Sequence, residues 1–172
     1  MTNRNLINQY LKQTQDIYGD KLYFNFKKDP KYSKVAGYSL DEFHNSINNC
    51  QACQLGATRK SFVFGVGDKN ADLLLVGEAP GEKEDMEGIP FVGRAGRLLD
   101  KILAAISLSR DSGVYICNVI KCRPPKNRDP LPSEIEKCEP YLKEQINLIK
   151  PKLIVALGRV AAKTLLNNDL SL

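Results

Sequence analysis

Asp72-Leu73-Leu74-Leu75-Val76-Gly77-Glu78-Ala79-Pro80-Gly81 is the stretch that decides the fold. Its apolar run is of strand length and bounded by turn signals, so it reads as a strand buried on both faces. It empties into the glycine-rich turn Gly77–Gly81. Two similar runs follow, Val114–Ile120 and Lys152–Leu157. Between the first two strands, Arg94–Ile106 sets Leu98, Leu99, Ile102, Leu103 and Ile106 on one side of a helix. Between the second and third, Ser133-Glu134-Ile135-Glu136 reads as a capping box opening a helix to about Ile149. Gly158 then leads into a helix over Ala161–Leu166. Strand and helix alternate three times, which predicts an α/β fold. Its central sheet should be mostly parallel, its crossovers right-handed and its layers stacked as an α/β/α sandwich.

In such sheets, ligands bind at the carboxyl ends of the strands. The loops expected there, Gly77–Gly93 and Asn118–Pro132, are also the chemically unusual segments. The first runs from the glycine-rich turn through an acidic stretch (Glu82, Glu84, Asp85, Glu87), read as loop, to Gly88-Ile89-Pro90-Phe91-Val92-Gly93. It has neither the Gly-Lys-Ser/Thr of a phosphate-binding loop nor a G-x-G-x-x-G fingerprint. Its acids would repel a triphosphate, so a neutral base presented edge-on suits it better. The second loop holds four prolines, which exclude regular structure, and a basic cluster of Lys121, Arg123, Lys126 and Arg128.

Upstream, Ser39-Leu40-Asp41-Glu42 is a capping box, and its helix runs into Cys50. Residues 2–19 have the spacing of an amphipathic helix, and residues 20–38 read as loop. The chain therefore divides into a basic N-terminal extension, 1–38, and an α/β domain, 39–172. Of the net charge of +5, residues 1–34 carry +4, from seven Lys/Arg against three Asp. That arm suits either phosphate contact or a solvated face. No apolar run approaches a membrane span, and the start is not signal-like. An intracellular, cytoplasmic setting is expected, where clustered thiols more often bind metal than form disulfides.

Cys50 and Cys53 form C-x-x-C; Cys122 and Cys138 lie far downstream, with fifteen residues between them. Four thiolates can hold zinc or an iron–sulfur cluster. The wide second pair, straddling a proline loop, favours a larger cluster reached from several directions over a zinc ribbon. Cys117, inside an apolar strand, reads as a buried inert thiol. His44, the sole histidine, reads as a surface or satisfied helix residue.

Gly77-Glu78-Ala79-Pro80-Gly81-Glu82-Lys83-Glu84-Asp85, Gly88-Ile89-Pro90-Phe91-Val92-Gly93-Arg94-Ala95-Gly96 and Asn118-Val119-Ile120-Lys121-Cys122-Arg123-Pro124-Pro125-Lys126-Asn127-Arg128 together resemble the family 4 uracil-DNA glycosylases. These are the iron–sulfur members of their superfamily, and the resemblance covers residues 40–166. It implies hydrolysis of the N-glycosidic bond of uracil in DNA, leaving free uracil and an abasic site. It implies a [4Fe–4S] cluster on Cys50, Cys53, Cys122 and Cys138. Phe91 would be the stacking platform for the base, and Asn118 would read the uracil edge. Gly77, Glu78 and Ala79 would line the base and the attacking water, with Glu78 as the catalytic carboxylate. Arg123, Lys126 and Arg128 would hold backbone phosphates. Glu84 and Asp85 belong to the motif, either shaping the pocket or organising the loop.

The family's histidine-proline loop, after a further strand, has no counterpart before Leu172. The sequence is therefore expected to be incomplete at its C-terminus, lacking that strand and loop. The competing expectation is a catalytically impaired module of the same fold that binds DNA or a protein partner. The expected partner is uracil-containing DNA, bound by a monomer away from membranes.

Overall fold

The computed structural model describes residues 37–166, together with Gln9 and Lys12, which are helical and exposed. The helix expected over 2–19 and the loop over 20–38 otherwise fall almost wholly outside the described residues. From Gly37 onward the chain forms one unit.

The three apolar runs are strands β2 (Leu73–Gly77), β3 (Val114–Asn118) and β4 (Leu153–Ala156). A strand too short to read, β1 (Val66–Gly67), pairs antiparallel with β3. The sheet order is β1-β3-β2-β4, with β2 parallel to both neighbours. Chain progression reverses direction across the sheet after β3. Right-handed crossovers then require the two connecting helices to lie on opposite faces.

Burial follows that rule. Leu73, Leu75, Val114 and Ile116 pack against Leu99 and Leu103 of helix α4 (Arg94–Ala105). The alternate residues, Leu74, Val76, Tyr115 and Cys117, face α1 (Leu40–Ile47), α5 (Pro132–Ile149) and α6 (Arg159–Leu166). A strand buried on both faces and covered by helices on both sides gives the expected three-layer α/β/α sandwich. Among the described residues, no helix is long and apolar enough to cross a membrane.

Several local expectations need correction. The acidic stretch is helix α3 (Glu82–Glu87), following a one-turn helix α2 (Leu55–Thr58). Glu82, Glu84 and Asp85 occupy the first turn of α3, where carboxylates meet the positive end of the helix dipole; left-handed Gly88 closes it. Ser133 does not cap α5. The helix begins at Pro132 after Leu131, and Glu134 reaches back to accept from the Leu131 N–H at 2.8 Å. Helix α1 stops at Ile47, so Cys50 lies in the turn beyond it. On α4 the apolar residues divide: Leu99 and Leu103 are core, whereas Leu98, Ile102 and Ile106 are exposed.

Candidate active site and thiol pocket

Parallel register sets Gly77 of β2 directly beside Asn118 of β3 at the carboxyl end of the sheet. The ladder continues past both strands, with Val119 N–H donating to the Gly77 carbonyl at 2.8 Å and Ile120 N–H to the Glu78 carbonyl at 3.1 Å. A cavity of about 400 Å³ opens here, lined by Ala79, Glu84, Phe91, Asn118 and Asn127, among others. Gly77 leaves room beside it for the Phe91 ring and the Asn118 amide by having no side chain. A Cβ there would lie 2.5 Å from the Asn118 amide oxygen and inside the contact distance of the Phe91 ring. Only glycine lets the ring and the amide converge on this spot.

Asn118 is 2% exposed, and its Oδ1 is buried with no hydrogen-bond partner among the described residues. Buried polar atoms are normally paired, so an orphan acceptor beside a cavity points to a donor supplied by a ligand. Behind it stands a polar strut. The fully buried Lys121 donates to the Asn118 carbonyl at 2.6 Å and to Gln145 Oε1 at 2.5 Å. Gln145 in turn donates to the Phe64 carbonyl at 2.9 Å. The sequence groups Lys121 with the basic residues of the proline loop, but its charge does not face outward with theirs. It is instead spent inside the protein.

Phe91 has φ +56°, a conformation that aromatic residues adopt only when their surroundings impose it. Glu84 Oε1 fixes the loop just beyond, accepting from Val92 N–H at 2.9 Å and Gly93 N–H at 2.8 Å. Asp85 faces away from the cavity and accepts from the Lys60 and Ser61 backbones, so it organises the loop while Glu84 lines the pocket.

Ala79 lines the cavity, whereas Gly77 and Glu78 are not among its lining residues; Gly77 lies instead against the Phe91 ring and the Asn118 amide. Burial pushes the Glu78 carboxyl above the ordinary range, and Asp129 adds to this while Arg159 opposes it. Asp129 and Arg159 pair with each other at 3.0 Å. Neither residue stood out in the sequence, because one lies in the proline loop and the other opens α6.

The three basic residues expected on DNA have different surroundings. Lys126 is exposed. Arg123 donates to Asn127 Oδ1 at 2.8 Å and approaches Glu82 at 3.5 Å. Arg128 forks onto the buried Glu134, at 2.9 and 2.7 Å. This bidentate pair, with the Leu131 N–H and Gln54, holds the Glu134 carboxyl at about 2. Arg128 thus braces the loop, with fewer donors left for a phosphate.

Cys50, Cys53, Cys122 and Cys138 line one small pocket on the other side of this loop, with Arg59, Phe62 and Tyr141. All are free thiols. Among the described residues, no three thiol, imidazole or carboxylate groups converge to hold a single metal ion. N–H groups nonetheless point at three sulfurs: Lys121 N at Cys138 (3.3 Å), Arg59 Nη1 at Cys122 (3.3 Å) and Ala52 N at Cys50 (3.4 Å). Arg59 is a residue the sequence reading missed. It also donates to the Cys50 and Asn48 carbonyls at 2.7 and 2.8 Å and stacks over Phe62. His44 stacks on Phe64 and Phe62 and lines neither pocket. Cys117 is fully buried, as expected of an inert thiol.

Fold and pocket define an α/β/α protein with a cavity at the carboxyl end of its sheet, and the model of the uracil DNA glycosylase superfamily matches residues 64–172. The chain belongs to that superfamily. Within it, the chain is 52% identical over 129 residues to the type-4 uracil-DNA glycosylase of Archaeoglobus fulgidus, covering 75% of this chain and 64% of that protein. The type-4 enzyme of Sulfurisphaera tokodaii is 50% identical over 126 residues, covering 73% and 57%. A type-5 uracil-DNA glycosylase of Thermus thermophilus is less similar, 36% over 118 residues, covering 60% and 53%. This chain therefore spans 57–64% of the length of these two type-4 relatives.

Proposed function

We propose that this chain excises uracil from DNA, hydrolysing the N-glycosidic bond to leave free uracil and an abasic site. The orphan oxygen of Asn118 carries this reading. Uracil offers an N3–H donor to that oxygen and an O4 acceptor to the same amide's NH₂. Cytosine reverses both groups, and a bidentate pair of this kind is worth roughly 1–3 kcal/mol of discrimination. The nucleotide must leave the duplex to reach the pocket. Phe91 then gives its ring as a stacking platform, worth roughly 1–3 kcal/mol per base.

As the C1′–N1 bond breaks, positive charge grows on the sugar, and a nearby carboxylate lowers that barrier. Glu78 follows Gly77 directly and is the carboxylate assigned to water and sugar. Its raised pKa means that the ionised form is lost at a higher pH than for an ordinary carboxylate. Activity should therefore fall on the acidic side sooner than a free glutamate would dictate. Arg123 and Lys126 suit backbone phosphates, which position DNA without reading it.

The four thiols fit a [4Fe–4S] cluster better than a single ion. Cluster thiolates each bind a different iron and need not meet at one point, and N–H groups aimed at sulfur are the usual tuning contacts. When bound, the cluster would join the 50–53 turn, the proline loop and α5 into one unit. Five unpaired thiols also suit a reducing, cytoplasmic setting.

The test is release of uracil from a uracil-containing oligonucleotide. Wild-type chain should release it, and Asn118→Ala should lower kcat/KM by about 5- to 150-fold, the equivalent of 1–3 kcal/mol. A second reading, a DNA-binding module that does not cut, is favoured by Glu78 lying outside the set of cavity-lining residues. Retention of uracil-DNA without base release would select it.

A further inference from the structure

We propose that Arg110 is a positioning residue that sets the angle of the Phe91 ring, and hence the depth at which a base can stack. The proposal rests on the uracil reading of the pocket. Arg110 lies in the connection between α4 and β3, nineteen residues beyond Phe91. Its Nη1 donates to the Pro90 carbonyl at 2.7 Å, and its Nη2 donates to the Phe91 carbonyl. Its Nε donates to Asp100 Oδ1, on the α4 helix, at 2.6 Å. The side chain is 19% exposed. One planar fork therefore spans two consecutive carbonyls while its third edge is fixed to the helix behind it, a geometry that an ammonium cannot reproduce.

What the fork holds is unusual. Phe91 sits in the left-handed region, where a bulky side chain is strained. Gly96 in the first turns of α4 lies against the same carbonyl so closely that a Cβ would overlap it. The ring itself fills the space above Gly77. Glu84 secures the N–H groups of Val92 and Gly93 on the far side of the residue. Arg110 is thus the cationic half of a two-sided clamp, with Glu84 as the anionic half. Between them the strained residue has no soft direction in which to relax. Removing the fork frees two carbonyls to turn toward water and the backbone to leave φ +56°, and the ring moves with it.

A double-mutant cycle tests this directly. Arg110→Ala should lower kcat/KM for uracil release about tenfold in the wild-type background and less than twofold in a Phe91→Ala background. An equal loss in both backgrounds overturns the proposal, because Arg110 would then act other than through the ring. A drop in melting temperature with unchanged kcat/KM overturns it too, reducing Arg110 to a brace. Where Arg110→Ala does not stay folded, Arg110→Gln, of similar length with one amide donor, goes through the same cycle.

A second arm needs no turnover. The fluorine resonance of 4-fluorophenylalanine at position 91, assigned by its absence in Phe91→Leu, should shift in the Arg110 variant. A moved resonance in a chain that releases no uracil upholds the clamp and overturns the uracil reading instead. An unmoved resonance overturns the clamp.

Discussion

Two walls face each other across the Asn118 cavity, and they are held in place by different means. The wall carrying Phe91, between α3 and α4, is fixed by neighbours in sequence: Glu84, Gly96 and Arg110 all lie within twenty residues of the ring. The wall formed by the proline loop after β3 is fixed largely from farther away: Arg59 reaches Cys122 and Gln145 takes Lys121, while Glu134 takes Arg128 from close by in the chain. The first wall is complete in ordinary hydrogen bonds. The second also leans on four thiols that the protein's own groups only partly satisfy. The Phe91 side is therefore preformed, whereas under the proposed function the proline-loop side would depend on a cluster held by the thiols.

The most severe break in this contrast is Cys122→Ser. It should abolish iron incorporation and with it most soluble, folded protein, because metal binding of this type is coupled to folding. Iron per chain and soluble yield measure it; a stable, colourless, active variant would sink the dependence of the second wall on a cluster.

The converse break is Gly77→Ala, which places a methyl group where ring and amide meet. Chain folding and any visible colour should survive. Uracil release should fall about a hundredfold or more, since stacking and edge recognition, each worth roughly 1–3 kcal/mol, are lost together. Retained release would show that recognition does not depend on the ring and the amide meeting above Gly77.

The smallest effect is expected from Glu134→Gln, which leaves the thiols alone and loosens the Arg128 brace together with the Leu131 and Gln54 contacts. It should cost about 1.5–3 kcal/mol near neutral pH, the range for hydrogen bonds to a charged group. Because the folded carboxyl is held down at about 2, its contribution is complete above the ordinary carboxylate value of 4.5. It is lost as pH falls from there toward about 2. The wild-type and variant denaturation midpoints should converge over that window; a gap that persists at the acid end would mean that the carboxylate charge is not what holds the loop.

The three apolar strands were legible because a run such as Leu73–Val76 has few alternatives once it is bounded by turns. The pocket residues Phe91 and Asn118 were legible through their motifs, and register then put Asn118 beside Gly77. What could not be read was set by distance in the chain or by ambiguity of charge. Nothing in the spacing of Arg128 and Glu134 separates a DNA contact from an internal ion pair. The acids of 82–87 carry the same signal whether they repel a ligand or open a helix. Helix α4 presents five apolar residues in one arc, but the sheet is wide enough to cover only the Leu99–Leu103 side. Arg59 and Arg110 bond to backbone carbonyls, which leave no trace in side-chain pattern.

The Lys121–Gln145 strut has one more implication, for anyone moving this pocket to another scaffold. Copying the loops around Gly77, Phe91 and Asn118 would transplant the visible surface without its foundation. The carbonyl of Asn118 is bolted through a buried ammonium to α5, the same helix that carries Cys138, and from there to the segment before β1. A graft lacking Gln145 and the Phe64 carbonyl would strand a lysine cation in an apolar interior, where burial without partners is costly. The smallest portable unit is therefore the recognition loops together with the helix and the strand approach beneath them.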